Sequence, residues 1–170
     1  MSYGEFLQEY IFDPLQMNDT GVCEELAVLS NRAYAYEIIG DNVLSQGYLY
    51  LGFAYAAGNL YSTVEDLMLW NQSLYSNQLV SAFTLEKMIT PTLMNPEYGC
   101  GLEIHQSDFG KVIGHKGGIG AFSSIINNYI DHDLHLVVLS NVASSSAPKL
   151  EQIANEIAAL VLGSRNSQNP

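Results

Sequence analysis

The sequence predicts a single α+β domain, in which a small antiparallel β-sheet is covered by helices, including one at the C-terminus. Three observations support this fold class. Helix start and stop signals occupy the first ninety residues, the pattern changes to period two from Tyr98 onward, and the last stretch carries a wide apolar stripe. The 170 residues, 48% of them hydrophobic, suffice for one core of ordinary size. We expect residues 1–163 to form one domain and residues 164–170 to be a disordered tail.

Three helices are predicted ahead of the sheet. The first begins behind Ser2 as N-cap and should stop at Pro14, with Phe6, Leu7, Tyr10 and Ile11 on one face. The second begins at Ser62, where Ser62-Thr63-Val64-Glu65 matches a capping box. Its predicted inner face consists of Val64, Leu67, Met68, Asn71 and Leu74. The third runs from about Ala82 to Ile89 behind Ser81 and ends before Pro91, because a residue preceding proline resists the helical conformation.

Four strand-like segments follow, namely "YGCGLEI", "KVIGH", "AFSSIINNYI" and "LHLVVLSN". The connections between them, "HQSDFG", "KGGIG" and "DHD", are short, which favours antiparallel neighbours. The chain closes with a helix from about Leu150 that Gly163 should end, and its apolar stripe should pack on one face of the sheet. Residues 48–62 are apolar and rich in glycine and tyrosine, and they predict no regular element.

Charge and cysteine content exclude several function classes. The formal net charge of -12 repels polyphosphate, so neither nucleic acid nor an anionic membrane is an expected partner. No stretch reaches the length of a membrane span. Cys23 and Cys100 are far apart and have no second pair or histidine at metal-like spacing, so we expect no metal site, no disulfide framework and no cofactor. A small molecule, a peptide or another protein remains as the ligand.

The triplet His115-Lys116-Gly117 is the strongest candidate site. Gly117, Gly118 and Gly120 leave a strand edge without side-chain bulk, which lets a ligand approach backbone N–H groups closely. If the segment is a strand, His115 and Lys116 point to opposite faces, and a histidine can titrate or donate near neutral pH. A glycine-rich turn with solvated charges is the alternative interpretation of the same residues.

Other polar patterns have simpler interpretations. Ser146-Ala147-Pro148-Lys149 matches Ser-x-x-Lys, but Ser146 lies at a helix entrance, where N-cap duty explains it. Tyr75-Ser76-Asn77 stands where the second helix should end in a turn. The remaining histidines form no ligand set, and His132 and His135 are interpreted as solvated residues at a hairpin tip. Trp70 is interpreted as a core residue.

Five segments, in order, resemble those of a known family. They are "YGEFLQEYIFDPLQMNDTGV", "AAGNLYSTVEDLMLW", "YGCGLEI", "GHKGGIG" and the strand pair ending in "LHLVVLSN". From Tyr3 to about Gly163 the chain resembles the C-terminal half of the class C β-lactamase and DD-peptidase-like serine hydrolases. The resemblance implies part of a β-lactamase/transpeptidase-like fold. Gln16 stands where the family has a glycine, a change that we interpret as minor and located in a loop.

The resemblance also implies the roles of the site residues. His115-Lys116-Gly117 would be the third catalytic motif, and the backbone N–H of Gly118 would supply half of an oxyanion hole. His115 would orient the proton-transfer network and attract the substrate carboxylate, while Lys116 stands where a small polar residue is usual. The family's Ser-x-x-Lys and Tyr-x-Asn motifs precede the segments found here, so no nucleophile is expected in this chain.

These implications lead to an expected activity and expected partners. We expect a fragment of a penicillin-binding or β-lactamase-like hydrolase that acts on D-alanyl peptides, β-lactams or esters, and that is inactive alone. Its expected partners are the N-terminal half of the parent protein, a small-molecule or peptide substrate, and a second copy joined through an exposed sheet edge. A non-catalytic peptide- or protein-binding module is the alternative.

Overall fold

The computed structural model describes residues 1–24, 27–143 and 150–166. It confirms the α+β class, with helices packed around small antiparallel sheets. The helices are α1 (Tyr3–Leu7), α2 (Asp13–Leu15), α3 (Val64–Tyr75), α4 (Ala82–Met88) and α5 (Leu150–Asn166). The strands are β1 (Gly21–Val22), β2 (Tyr36–Ile39), β3 (Asn42–Ser45), β4 (Leu60–Tyr61), β5 (Glu103–Ser107), β6 (Gly110–Ile119), β7 (Phe122–Tyr129) and β8 (Leu134–Ser140). No described helix is both long enough and apolar enough to cross a bilayer.

The first helical segment begins where the sequence predicts and ends later. Ser2 caps α1, because its hydroxyl accepts from the Glu5 N–H and the Glu5 carboxylate accepts from the Ser2 N–H. The expected stop at Pro14 is wrong, since a π-helical turn over Gln8–Phe12 leads into α2 and Pro14 occupies its first turn, where its missing N–H is tolerated. The segment ends at Gln16, whose φ of 59° is left-handed. Gln16 therefore follows the helix, in the turn, in a conformation that favours glycine.

The start of α3 is fixed by the loop that follows α2. Thr63, rather than Ser62, caps the helix by accepting from the Asp66 N–H, so the predicted capping box is wrong. The Ser62 hydroxyl instead lies 2.7 Å from the hydroxyl of Thr20. The buried carboxylate of Asp66 accepts from the Asp19 N–H and from the Thr20 hydroxyl at 2.8 and 2.7 Å. These long-range hydrogen bonds displace the local capping box, whereas Ser81 caps α4 as predicted.

A four-stranded antiparallel sheet forms the centre of the described structure, in the order β5-β6-β7-β8. The segment "KGGIG" is mostly strand rather than connection, because β6 continues to Ile119 and the turn to β7 consists of Gly120 and Ala121. Gly120 has a φ of +59° and so belongs to this turn rather than to the glycine-lined strand edge. In the connection from β7 to β8, a 3-10 turn over Ile130–His132 precedes Asp133, which is also left-handed.

Each face of this sheet packs against one long helix. On one face, Val112 of β6 and Tyr129 of β7 form a buried cluster with Ala158 and Leu162 of α5. On the other face, α3 packs against β8 and its buried Asn71 bonds to Asn128 of β7. The predicted packing of α5 on the sheet is confirmed, but α5 does not end at Gly163 and runs to Asn166. Residues 167–170 of the predicted tail lie outside the described residues.

A second, smaller group of elements lies ahead of α3. Strands β1 and β4 form one antiparallel pair and β2 and β3 form a hairpin, which the sequence analysis did not predict. Trp70 packs against the buried cluster of Phe12, Leu15 and Met17, which confirms its interpretation as a core residue. Within the predicted inner face of α3, Asn71 and Leu74 are buried and Val64 is exposed.

Candidate functional site

His115 is held by two hydrogen bonds, one at each ring nitrogen. Its Nδ1 lies 2.7 Å from the backbone oxygen of Lys116, and its Nε2 lies 2.8 Å from the hydroxyl of Tyr98. A carbonyl oxygen only accepts, so Nδ1 carries the proton and donates. In the neutral imidazole, Nε2 therefore accepts from the Tyr98 hydroxyl. The rings of Tyr98 and His115 meet edge to face, with centroids 5.8 Å apart.

Lys116 belongs to the opposite face of β6, as the alternation of a strand predicts. Its ammonium group forms a salt bridge with the carboxylate of Glu151 in the first turn of α5. The hydrogen bond and charge of Glu151 raise the pKa of Lys116, slight burial opposes the shift, and the charge of Glu103 adds to it. With side chains 56% and 48% exposed, the pair is a surface ion pair and is worth about 1 kcal/mol or less. Lys116 is thus turned away from His115 and toward the C-terminal helix.

Gly117 and Gly118 lie on the part of β6 that pairs with β7 but not with β5. The register pairs β5 with β6 only from Gly110 to Gly114, whereas β7 pairs with β6 as far as Ile119. Among the described residues, no strand therefore lies on the β5 side of residues 115–119. A Cβ on Gly117 would lie 3.0 Å from the Ser124 hydroxyl, and one on Gly118 would have the Phe122 oxygen at 3.8 Å as its nearest neighbour. This bare edge can accept the backbone of an extended ligand.

A pocket of about 480 Å³ adjoins this edge on the side of α5. Tyr98 and Lys116 are among its lining residues, and Tyr98 also bonds to His115. Its floor includes the buried residues Ile125 and Asn127, and its rim includes Asn155 of α5. The other charged or titratable residues that line it are Glu97, Glu103, His105 and Glu151. The pocket is therefore lined by both polar and apolar groups and carries more acidic than basic groups.

The structure brings the predicted triplet together with two residues that the sequence analysis did not assign. Tyr98 was noted only as the start of a strand, and Glu151 only as part of a helix. Their contacts with His115 and Lys116 span 17 and 35 residues, so no local spacing reveals them. For Tyr98, the signal in the sequence was an aromatic residue ahead of two glycines at the start of the sheet.

The other candidate patterns lie elsewhere. Ser146 and Lys149 lie outside the described residues, so the interpretation of Ser146 as an N-cap stays a prediction. Tyr75 is the last residue of α3 and Asn77 follows with a φ of 59°, which confirms the interpretation of this triplet as a helix end. The described residues contain no group of three His, Cys, Asp or Glu side chains arranged to hold a metal ion.

His135 does not lie at a solvated hairpin tip, so that interpretation is wrong. It is the second residue of β8, and its Nδ1 lies 2.6 Å from the Asn128 side-chain oxygen. Its ring contacts that of Tyr75, with centroids 5.5 Å apart. Burial raises the pKa of Tyr75 to about 12, and the nearby Asn128 amide opposes this shift. His135 is therefore part of the polar contact between the sheet and α3, on the same face as His115.

The family model described as "Beta-lactamase" matches residues 1–160. The chain belongs to the beta-lactamase family. It is 29% identical over 158 residues to "Penicillin-binding protein 4*" of Bacillus subtilis (strain 168), a match that covers 83% of this chain and 35% of that protein. Among solved structures, it is similar to an octameric penicillin-binding protein homologue from Pyrococcus abyssi, with 28% identity, a TM-score of 0.77, and 96% of this chain and 38% of that one covered.

A third similarity concerns the beta-lactamase family fold alone. The D-amino acid amidase from Ochrobactrum anthropi SV3, solved in complex with L-phenylalanine, has a TM-score of 0.80 at 22% identity. The match covers 99% of this chain and 54% of that amidase. The chain thus spans between about a third and about half of the length of these relatives. As a member of the beta-lactamase family it has the β-lactamase/transpeptidase-like serine hydrolase fold, as the resemblance implied.

Proposed function

We propose that this chain forms the strand wall of an acyl-transfer site that acts on D-alanyl peptides, β-lactams or esters. The observation that carries the proposal is the bare edge of β6 at residues 115–119, which begins beside an imidazole fixed by Tyr98. An extended peptide or a β-lactam presents backbone-like carbonyl and amide groups that such an edge can bind. Gly118 would donate its N–H to the oxyanion that develops when the carbonyl is attacked.

The nucleophile of this reaction is assigned to residues outside this chain. Acyl transfer needs a hydroxyl activated by a base, together with fixed donors for the oxyanion. His115 would serve in the proton-transfer network, because its Nε2 is already hydrogen-bonded to the Tyr98 hydroxyl at 2.8 Å. We therefore expect this chain alone to bind substrate without forming an acyl-enzyme, and we assign the nucleophile to the N-terminal half of a longer parent protein.

Intact-mass measurement with a reactive β-lactam and, separately, a fluorophosphonate tests this proposal. The chain alone should form no adduct, and the longer protein should form one on a serine that precedes residue 1. In the longer protein, His115→Ala should slow acylation by about 100-fold or more, the usual contribution of a group that transfers protons. The control His132→Ala lies in the turn between β7 and β8 and should leave the rate unchanged.

Two results would contradict the proposal. An adduct on Ser146 of this chain would place a nucleophile where we assign none. An unchanged acylation rate in His115→Ala would show that His115 takes no part in the reaction. A longer protein that binds peptides along β6 and is never acylated would be the non-catalytic binding module.

A further inference from the structure

The charge of the pocket beside β6 indicates what kind of substrate group it can hold. Three carboxylates line it, those of Glu97, Glu103 and Glu151, against one ammonium, that of Lys116. Lys116 is already bound to Glu151, so these two charges largely offset each other. Glu97 and Glu103 are left to set the potential of the pocket when His105 is neutral.

The pocket also has the size and position of a substrate subsite. Its volume of about 480 Å³ is within the range of small-molecule pockets and exceeds the volume of one amino-acid side chain. Tyr98, which bonds to His115, and Lys116, which follows His115 on the strand, are both part of its lining. A ligand that lies along the bare edge of β6 would therefore direct one of its substituents into this pocket.

We propose that this pocket selects substrates that carry a positively charged ammonium group and disfavours substrates that carry a carboxylate at the same place. This inference rests on the proposed function, because it takes the ligand to lie along residues 115–119 of β6. A divalent metal ion fits the pocket less well, since among the described residues no three acidic, histidine or cysteine side chains converge as metal ligands do. A primary ammonium needs only hydrogen-bond acceptors and negative potential, and the glutamates and asparagines of the lining supply both.

Binding of three small probes to this chain tests the inference without any chemistry. N-acetyl-D-lysinamide carries an ammonium group, N-acetyl-D-norleucinamide is neutral, and N-acetyl-D-isoglutamine carries a carboxylate. Titrations followed by NMR, at the backbone amides of Glu103 and Lys116, give a dissociation constant for each probe at pH 7.5. We expect the cationic probe to bind about fivefold more tightly than the neutral probe, and the anionic probe to bind more weakly still.

Variants assign this preference to the pocket. The double variant Glu97→Gln and Glu103→Gln should bring the cationic and neutral probes to equal affinity, because it removes the excess negative charge while keeping side-chain shape. Glu9→Gln changes an exposed glutamate in the first helical segment and should leave the fivefold preference intact. Raising the salt concentration to 0.5 M should shrink the preference in the unmodified chain.

Three outcomes would overturn the inference. These are equal affinity for all probes, a preference that survives the double variant, and no binding of any probe at millimolar concentration. The acylation experiment on the longer protein has a separate readout. If this chain prefers the cationic probe but the longer protein is never acylated, the charge preference of the pocket stands and the proposed hydrolase function fails. If the longer protein is acylated but the probes show no charge preference, the hydrolase function stands and the charge preference fails.

Discussion

The polar contact between α3 and the sheet gives a sharp prediction about stability. Asn71 and Asn128 are both buried, and each side-chain amide donates to the oxygen of the other, at 2.5 and 2.9 Å. Asn128 makes two further hydrogen bonds, donating to the Ile113 backbone oxygen at 3.0 Å and accepting from His135 at 2.6 Å. Asn128 is therefore the centre of the network, and Asn71 is one of its branches.

The two alanine variants should differ for this reason. Asn71→Ala removes two hydrogen bonds but leaves Asn128 bonded to the sheet, so it should lower the free energy of unfolding by about 1–3 kcal/mol. Asn128→Ala leaves the buried Asn71 amide, the Ile113 carbonyl and His135 without their common partner, so it should cost about 3–5 kcal/mol. The free energies come from urea-induced unfolding followed by circular dichroism. Gln72→Ala, an exposed change on the same helix, should stay within about 0.5 kcal/mol of the unmodified chain.

The double variant tests whether the two amides act on each other. Their mutual hydrogen bonds can be lost only once, so the double variant should be less destabilised than the sum of the single variants by about 1–2 kcal/mol. Additive effects, or a cost for Asn71→Ala that equals that of Asn128→Ala, would refute the reasoning. Ile113 lies two residues before His115 on β6, so loss of this contact should also loosen the candidate site.

Three other variants test the site and its surroundings. In Tyr98→Phe, loss of a hydrogen bond worth about 0.5–1.5 kcal/mol should let the His115 imidazole populate its second tautomer, seen in its ¹⁵N NMR spectrum, whereas the exposed Tyr34→Phe should change nothing. Gly114→Ala would place a Cβ 1.8 Å from a backbone oxygen and should cost more than about 3 kcal/mol in urea unfolding, while Gly47→Ala, with open space around it, should be tolerated. Burial raises the pKa of Tyr75 in the folded state above its value in the unfolded state. The contribution of Tyr75 to the free energy of unfolding is therefore complete below about pH 10 and is lost as the pH rises toward 12. In Tyr75→Phe, the free energy of unfolding should fall by about 1–2 kcal/mol less over this alkaline range than in the unmodified chain. The same pH dependence in both proteins would contradict this prediction.

Local signals predicted the parts of the fold that depend on local hydrogen bonds. Ser2 and Ser81 cap their helices as predicted, because each hydroxyl bonds within its own first turn. The capping box at Ser62 satisfies the same local rule and is wrong, because Thr20 competes for the serine hydroxyl from 42 residues away. Gly163 does not end α5, since a glycine inside a helix costs only about 1 kcal/mol.

The hairpin of β2 and β3 could have been predicted from the sequence. Short runs with β-branched residues in "YEIIGDNVLS" flank Gly40-Asp41, a two-residue turn that a positive φ at Gly40 permits. The residues that contact His115 and Lys116 could not be predicted from local sequence. His115 and Lys116 are adjacent in the chain, but Tyr98 and Glu151 reach them only through the sheet register and the docking of α5.

The contacts of His115 and Lys116 determine which charges are available to a substrate at the site. The resemblance implied a cationic motif that attracts a substrate carboxylate, and the sequence places His115 and Lys116 side by side. In the structure, both ring nitrogens of His115 are hydrogen-bonded, and the positive charge of Lys116 is matched by Glu151 on the other face of the strand. A carboxylate in the adjoining pocket would face Glu103 and Glu97. The same charges favour an ammonium group in the pocket, and the role of His115 toward a substrate carboxylate stays a prediction.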